Sequence, residues 1–99
     1  MRVIEKNMLA AINSGRDFKQ SNTQVFHNAK GAFVKLYDTI IYAKVKGAEY
    51  FSDGGFSTVT TSSRLRALGA DYSTNARRNR AELHTQTEMY NLLWSGCLA

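Results

Sequence analysis

Ala32-Phe33-Val34-Lys35-Leu36-Tyr37-Asp38-Thr39-Ile40-Ile41-Tyr42-Ala43-Lys44-Val45-Lys46 sets the character of the chain within fifteen residues. β-Branched and aromatic residues dominate 32–37 and 40–46, and Asp38-Thr39 between them has the composition of a tight turn. In the first run Val34 and Leu36 face one way and Phe33, Lys35 and Tyr37 the other. In the second, Ile41, Ala43 and Val45 alternate against Tyr42, Lys44 and Lys46. Alternation of this kind predicts half-exposed antiparallel strands with one face packed on helices.

Reading upstream, Val25 and Phe26 begin another strand-like stretch, which turns at residues 28–31. Residues 16–24 are polar and read as a connecting loop. Before them, Ile4, Met8, Ala11 and Ile12 share one face at helical spacing, so residues 2–14 are expected to form a helix ended by Gly15. Downstream, Gly47 turns the chain into residues 48–52, Asp53-Gly54-Gly55 reads as a hairpin signal, and residues 56–59 as one more strand. A helix is then expected to start at Thr60 or Thr61 and run to about Leu68, with Leu65 and Leu68 against the sheet. Residues 73–80 are polar and basic and fit either a loop or a solvated helix. In residues 82–94, Leu83, Thr85 and Thr87 alternate against His84, Gln86 and Glu88, which favours strand over a helix through Leu83, Met89, Leu92 and Leu93. Eight of the eleven aromatic residues lie between positions 18 and 56, so the sheet holds most of the large side chains. The expected fold is α+β: an antiparallel four- to five-stranded meander packed by an N-terminal helix and a central helix, in one small globular domain over residues 1–99.

Composition narrows the class. Apolar residues are 43% of the chain and charged residues 21%, a balance that suits a globular domain and is too apolar for a disordered one. The longest apolar runs are far too short to span a bilayer, and the N-terminus carries Arg2, Glu5 and Lys6 where a signal peptide would be apolar, so a cytoplasmic location is expected. The single cysteine, Cys97, can form neither an internal disulfide nor a cysteine-based metal site. Thirteen basic against eight acidic residues give a net charge of +5, which favours nucleic acid, nucleotides or an acidic protein face as partner. Arg66, Arg77, Arg78 and Arg80, with Lys44 and Lys46, are the candidate contacts for such a partner. Tyr37, Tyr42 or Tyr50 could stack on bases.

Catalysis is poorly supported. His27 and His84 stand apart from any Ser–Asp or Cys arrangement, and the serines after Thr61 lack the glycine-flanked turn of a hydrolase nucleophile. Glu49, Asp53 and Asp71 have neither calcium-loop spacing nor a neighbouring histidine pair, so no metal or cofactor is expected. The candidate ligand site is Thr60, Thr61, Ser62, Ser63 and Arg64. Free N–H groups, hydroxyls and a guanidinium would converge there on an anion at a helix N-terminus. The same residues also fit a redundant cap, with Arg64 paired to a carboxylate.

Gly55, Phe56, Thr58, Val59, Thr60, Thr61, Arg64, Leu65, Ala67 and Leu68 form a pattern: glycine–aromatic, Thr-Val-Thr-Thr, two variable residues, then Arg-Leu-x-Ala-Leu. With Ser21-Asn22-Thr23-x-Val25 and the strand pair around Val34, Leu36 and Ile41, it resembles a widespread group of small bacteriophage accessory proteins. Phe56 stands where tryptophan is common in that group, and Arg66 replaces a frequent asparagine. The resemblance implies a phage-encoded protein made in a bacterial cytoplasm and carries over no catalytic role. The function expected is non-enzymatic inhibition of a host system, antiviral defence above all, by occluding a host protein or by sequestering a phosphorylated, nucleotide-like ligand. The alternative is a basic nucleic-acid-binding regulator. Exposed strand edges would also suit a homodimer.

Overall fold

The computed structural model describes residues 2–56, 58–71 and 82–99. Helix α1 (Val3–Ser14) leads into five strands: β1 (Phe18–Gln20), β2 (Thr23–His27), β3 (Gly31–Leu36), β4 (Thr39–Val45) and β5 (Ala48–Phe51). Each strand pairs antiparallel with the next, giving the sheet order β1-β2-β3-β4-β5, so the expected α+β meander is present with five strands. Two helices follow, α2 (Val59–Ala67) and α3 (Gln86–Ser95). Among the described residues no helix is long and apolar enough to cross a membrane.

Local chemistry accounts for the first elements. In α1, Met8 and Ala11 are buried, and Gly15 ends the helix in a left-handed conformation (φ 72°) while the Arg16 N–H returns to the Ala11 carbonyl at 3.0 Å. The segment expected to be a loop contains β1 as well as the turn into β2. Its lysine and glutamine hide a strand because it lies at the sheet edge, where polar side chains discourage pairing with another chain.

The alternation expected in β4 breaks. Val34 pairs with Tyr42 but Lys35 with Ile40, leaving Ile41 as the extra residue of a bulge. Ile41 and Tyr42 therefore both reach the core formed with α1 and α2, beside Met8, Val25, Val34, Leu36, Leu65 and Leu68. Ile40, Ala43 and Val45 lie on the opposite face with Phe33, Met89 and Leu92. Both faces of the sheet are thus covered, where one was expected.

Three further expectations are corrected. The strand expected over residues 56–59 is not found at Phe56, Thr58 or Val59: Asp53-Gly54-Gly55 closes a turn, with the Phe56 N–H on the Asp53 carbonyl at 2.9 Å, and Val59 already belongs to α2. That helix is capped by Thr58 and not by Thr60 or Thr61, since the Thr58 hydroxyl accepts the Thr61 N–H at 3.1 Å. Residues 86–95 are helical and not strand. Thr85 accepts the Glu88 N–H while Glu88 accepts the Thr85 N–H, and Met89 and Leu92 then lie one turn apart on the buried side. Leu83 alone keeps a strand-like contact, a parallel bridge to Phe51.

Candidate functional site

Gly54 has φ 62°, and a Cβ there would lie 2.5 Å from the Thr39 methyl, so a glycine lets the 53–55 turn close against the start of β4. This contact brings together the β3–β4 turn, the 53–56 segment and the N-terminus of α2. Between them lies an open cleft of about 420 Å³, lined by Leu36, Tyr37, Thr39, Ile41, Phe56 and Thr58 together with Asp38, Asp53 and Thr61. Its walls are largely apolar, and two of them are exposed rings: Tyr37 at 73% and Phe56 at 59%.

Tyr37 sits in the left-handed backbone region at φ 55°. A non-glycine residue there is strained by about 1–2 kcal/mol, and asparagine or glycine would carry less strain. The β1–β2 turn holds it in place, because the Tyr37 N–H donates to the Asn22 carbonyl at 2.8 Å. Ser21 and Lys46, the first residues of the other two-residue hairpin turns, share this conformation, so the turn sets it, and at Tyr37 it presents a large ring to solvent.

The residues expected to hold an anion are divided. Thr61 and Ser62 are buried, Thr60 and Ser63 half-buried, and Thr61 lines the cleft. Arg64, expected to face a ligand, is turned inward with 3% exposure. Its Nη1 donates to Glu5 Oε2 at 2.7 Å and its Nε to Thr23 Oγ1 at 3.0 Å. Ser63 donates to the same Glu5 oxygen at 2.5 Å, and the other oxygen accepts the Arg2 N–H at 3.2 Å. Burial alone would raise the Glu5 pKa. The hydrogen bonds from Ser63, Arg64 and the Arg2 backbone, with the Arg64 charge, outweigh it and hold the carboxyl below the usual range. Glu5 is the residue the sequence reading missed. An acid one turn before Met8, on the buried side of α1, calls for a buried cation elsewhere.

The expected basic contacts do not form one surface. Arg66 is exposed on α2. Lys44 is exposed toward the far end of β4, and Lys46 in the turn beyond it, roughly 10 and 17 Å along the chain from Ile41 of the cleft at about 3.3 Å per residue. Arg77, Arg78 and Arg80 lie outside the described residues. Tyr42 is buried with its hydroxyl on Glu49 at 2.6 Å, and burial followed by that hydrogen bond raises its pKa. Tyr50 packs edge-on to His84, so of the three candidate stacking tyrosines Tyr37 is the one presented openly.

The histidines have structural partners: His27 Nδ1 lies 3.2 Å from Asp17, and His84 Nδ1 3.5 Å from Glu88. Among the described residues no group of three or more His, Cys, Asp or Glu side chains is placed to hold a metal ion.

Fold and cleft together define a small α+β domain with an open, aromatic-rimmed recess. The chain belongs to the Kyanoviridae Gp96 protein family, whose profile matches residues 1–90, and is thus a small phage protein. The match extends on both sides of the residues that carry the resemblance noted in the sequence. No curated protein and no solved structure matches the chain.

Proposed function

We propose that this phage protein is a non-enzymatic inhibitor that binds and occludes a protein of the bacterial host, a component of antiviral defence being the expected target. The observation that carries this reading is the pair of exposed rings, Tyr37 and Phe56, that line one largely apolar cleft. Exposed aromatic side chains beside a recess are the usual energetic centres of protein interfaces. A phosphorylated ligand fits less well. Arg64 is engaged with Glu5, and the charged side chains among the described residues of the lining are the carboxylates of Asp38 and Asp53. Neither His27 nor His84 lines the cleft, which supports binding over catalysis there.

The test uses tagged wild type and the Tyr37→Ala and Phe56→Ala variants, with captured host proteins and nucleotides quantified together. One host protein should be retained stoichiometrically by wild type and lost about 30-fold or more with either variant, the effect of about 2 kcal/mol expected for an interface hot spot. Tyr37→Asn should melt no lower than wild type, since asparagine tolerates the left-handed region, and yet lose the partner. Retention of nucleotides or nucleic acid, or of a protein whose capture ignores both rings, would overturn the proposal.

A further inference from the structure

Beyond Tyr37 and Asp38, on the other side of the ridge they form, lies a second groove of about 530 Å³, and it is polar. Both residues line both recesses, so an occupant of the cleft that continues past Tyr37 enters this groove. Its floor is set by strand register. Lys19 pairs with Gln24 and Gln24 with Lys35, so the three side chains form a row across β1, β2 and β3 on one face of the sheet. Neighbouring strands are about 4.8 Å apart, which places the two lysine backbones roughly 10 Å from each other, with an amide between them.

Helix α3 packs on this face over β4, and the row lies to the side of it, toward the β1 edge. The Lys35 ammonium is positioned 5.7 Å from the Tyr90 ring centre and 5.8 Å from that of Phe26. Neither Lys19 nor Lys35 forms a salt bridge among the described residues. The molecule therefore shows an apolar recess on the α1–α2 face and, around the Tyr37–Asp38 ridge on the α3 face, two cations that form no salt bridge among the described residues, one of them lying against aromatic rings.

We propose that the segment of partner protein bound here is acidic: an apolar side chain enters the cleft between Tyr37 and Phe56, and carboxylates adjoining it in sequence are received by Lys19 and Lys35. This rests on the reading of the cleft as a protein-binding site and specifies the chemistry of what binds. The charge of the groove carries it, two lysines against the single carboxylate of Asp38, together with the net charge of +5 on the chain. A single nucleic acid strand is the weaker occupant, because beyond Tyr37 the cleft is walled largely by apolar groups, which suit an apolar side chain and not a phosphate backbone.

The probes are short fluorescein-labelled peptides that share a Leu-Trp anchor flanked by Asp and Glu, by Ser and Gly, or by Lys and Arg, with a short oligothymidylate as the nucleic acid. The full chain should bind the acidic peptide about tenfold more tightly than the neutral one, as two partly exposed ion pairs would give, and the basic one least. That preference should shrink between about 0.05 M and about 0.5 M salt. Lys19→Glu with Lys35→Glu should reverse the order. Lys19→Glu alone, on an exposed edge strand, should remove part of the preference in a protein that melts like wild type. Tyr37→Ala should weaken all three peptides alike.

Equal affinity for the three peptides, an acidic preference that survives both charge reversals, or tighter competing binding of the oligothymidylate would overturn the proposal. Binding that ignores peptide charge but needs Tyr37 would overturn this inference and leave the cleft reading standing. A lysine-dependent acidic preference indifferent to Tyr37 would overturn the cleft reading and this inference with it, leaving only an acid-binding lysine row.

Discussion

Glu5 and Arg64 are 59 residues apart in sequence and both 3% exposed, and their contact ties the start of α1 to the middle of α2. Thr23 and Ser63 complete the network from β2 and α2. Such a pair adds little net stability over a well-packed apolar pair, but removing one member strands the other in a medium that cannot solvate it. Arg64→Ala should therefore destabilise by about 3–5 kcal/mol and lower the melting temperature by more than about 10 °C. Glu5→Gln with Arg64→Met should melt above the single mutant. If Arg64→Ala melts like wild type, the network has no structural weight. The pH dependence follows with a definite sign. The Glu5 carboxyl titrates below its unfolded value of about 4.3, so its stabilisation is fully present above that pH and is lost as pH falls through the folded value. Glu5→Gln should flatten that part of the acid limb. The sequence marked Arg64 as notable because arginine follows a run of capping residues. Its direction was not legible, because that depends on an acid in another helix.

At the scale of elements, the capping threonine of α2 separates two readings of Thr58-Val59-Thr60-Thr61. The Thr58 hydroxyl accepts the Thr61 N–H and lies 2.9 Å from the Thr61 hydroxyl, so the cap lies two or three residues before the expected Thr60 or Thr61. Thr58→Ala should cost about 0.5–2 kcal/mol in thermal or urea melts, and Thr60→Ala, inside the first turn, clearly less. The reverse ranking would mean that the cap lies where the sequence alone suggested. Four consecutive capping residues made the helix visible and its first residue ambiguous. α3 was the less favoured of two readings for a different reason. Thr85-Gln86-Thr87-Glu88 is a capping box followed by Met89 and Leu92 at helical spacing, but the same residues also alternate at strand period. Two periods fit one stretch, and the Thr85–Glu88 hydrogen bonds decide between them. The bulge at Ile41 was hidden in the same way, since two adjacent isoleucines fit either register.

Over the whole molecule, one sheet serves two cores: Leu65 packs on the α1–α2 side and Leu92 on the α3 side, both fully buried. Alternating lysines in β3 and β4 suggested a solvated face. They were misleading because Lys35 lies across the Phe26 and Tyr90 rings and Lys44 falls near the end of its strand. The cleft was legible only in part. The sequence pointed to the start of α2, while Tyr37 and Asp38 reach it through the β3–β4 turn, a tertiary contact without a local signal. Because strands β3 and β4 carry residues of both cores, the two should unfold together. Leu65→Ala and Leu92→Ala should each cost about 2–5 kcal/mol. Lying on opposite faces of the sheet, they should add to within about 0.5 kcal/mol. A domain of this size has about 5–15 kcal/mol in all, so the double mutant should be at or past the edge of stability. Urea unfolding of each single mutant should remain one transition by both far-ultraviolet circular dichroism and tyrosine fluorescence. Trp94, 74% exposed on α3, should report little of it. A separate early transition in Leu92→Ala, with the Tyr37 cleft still binding its partner, would show that α3 is an independent layer and that the cleft needs only the other core.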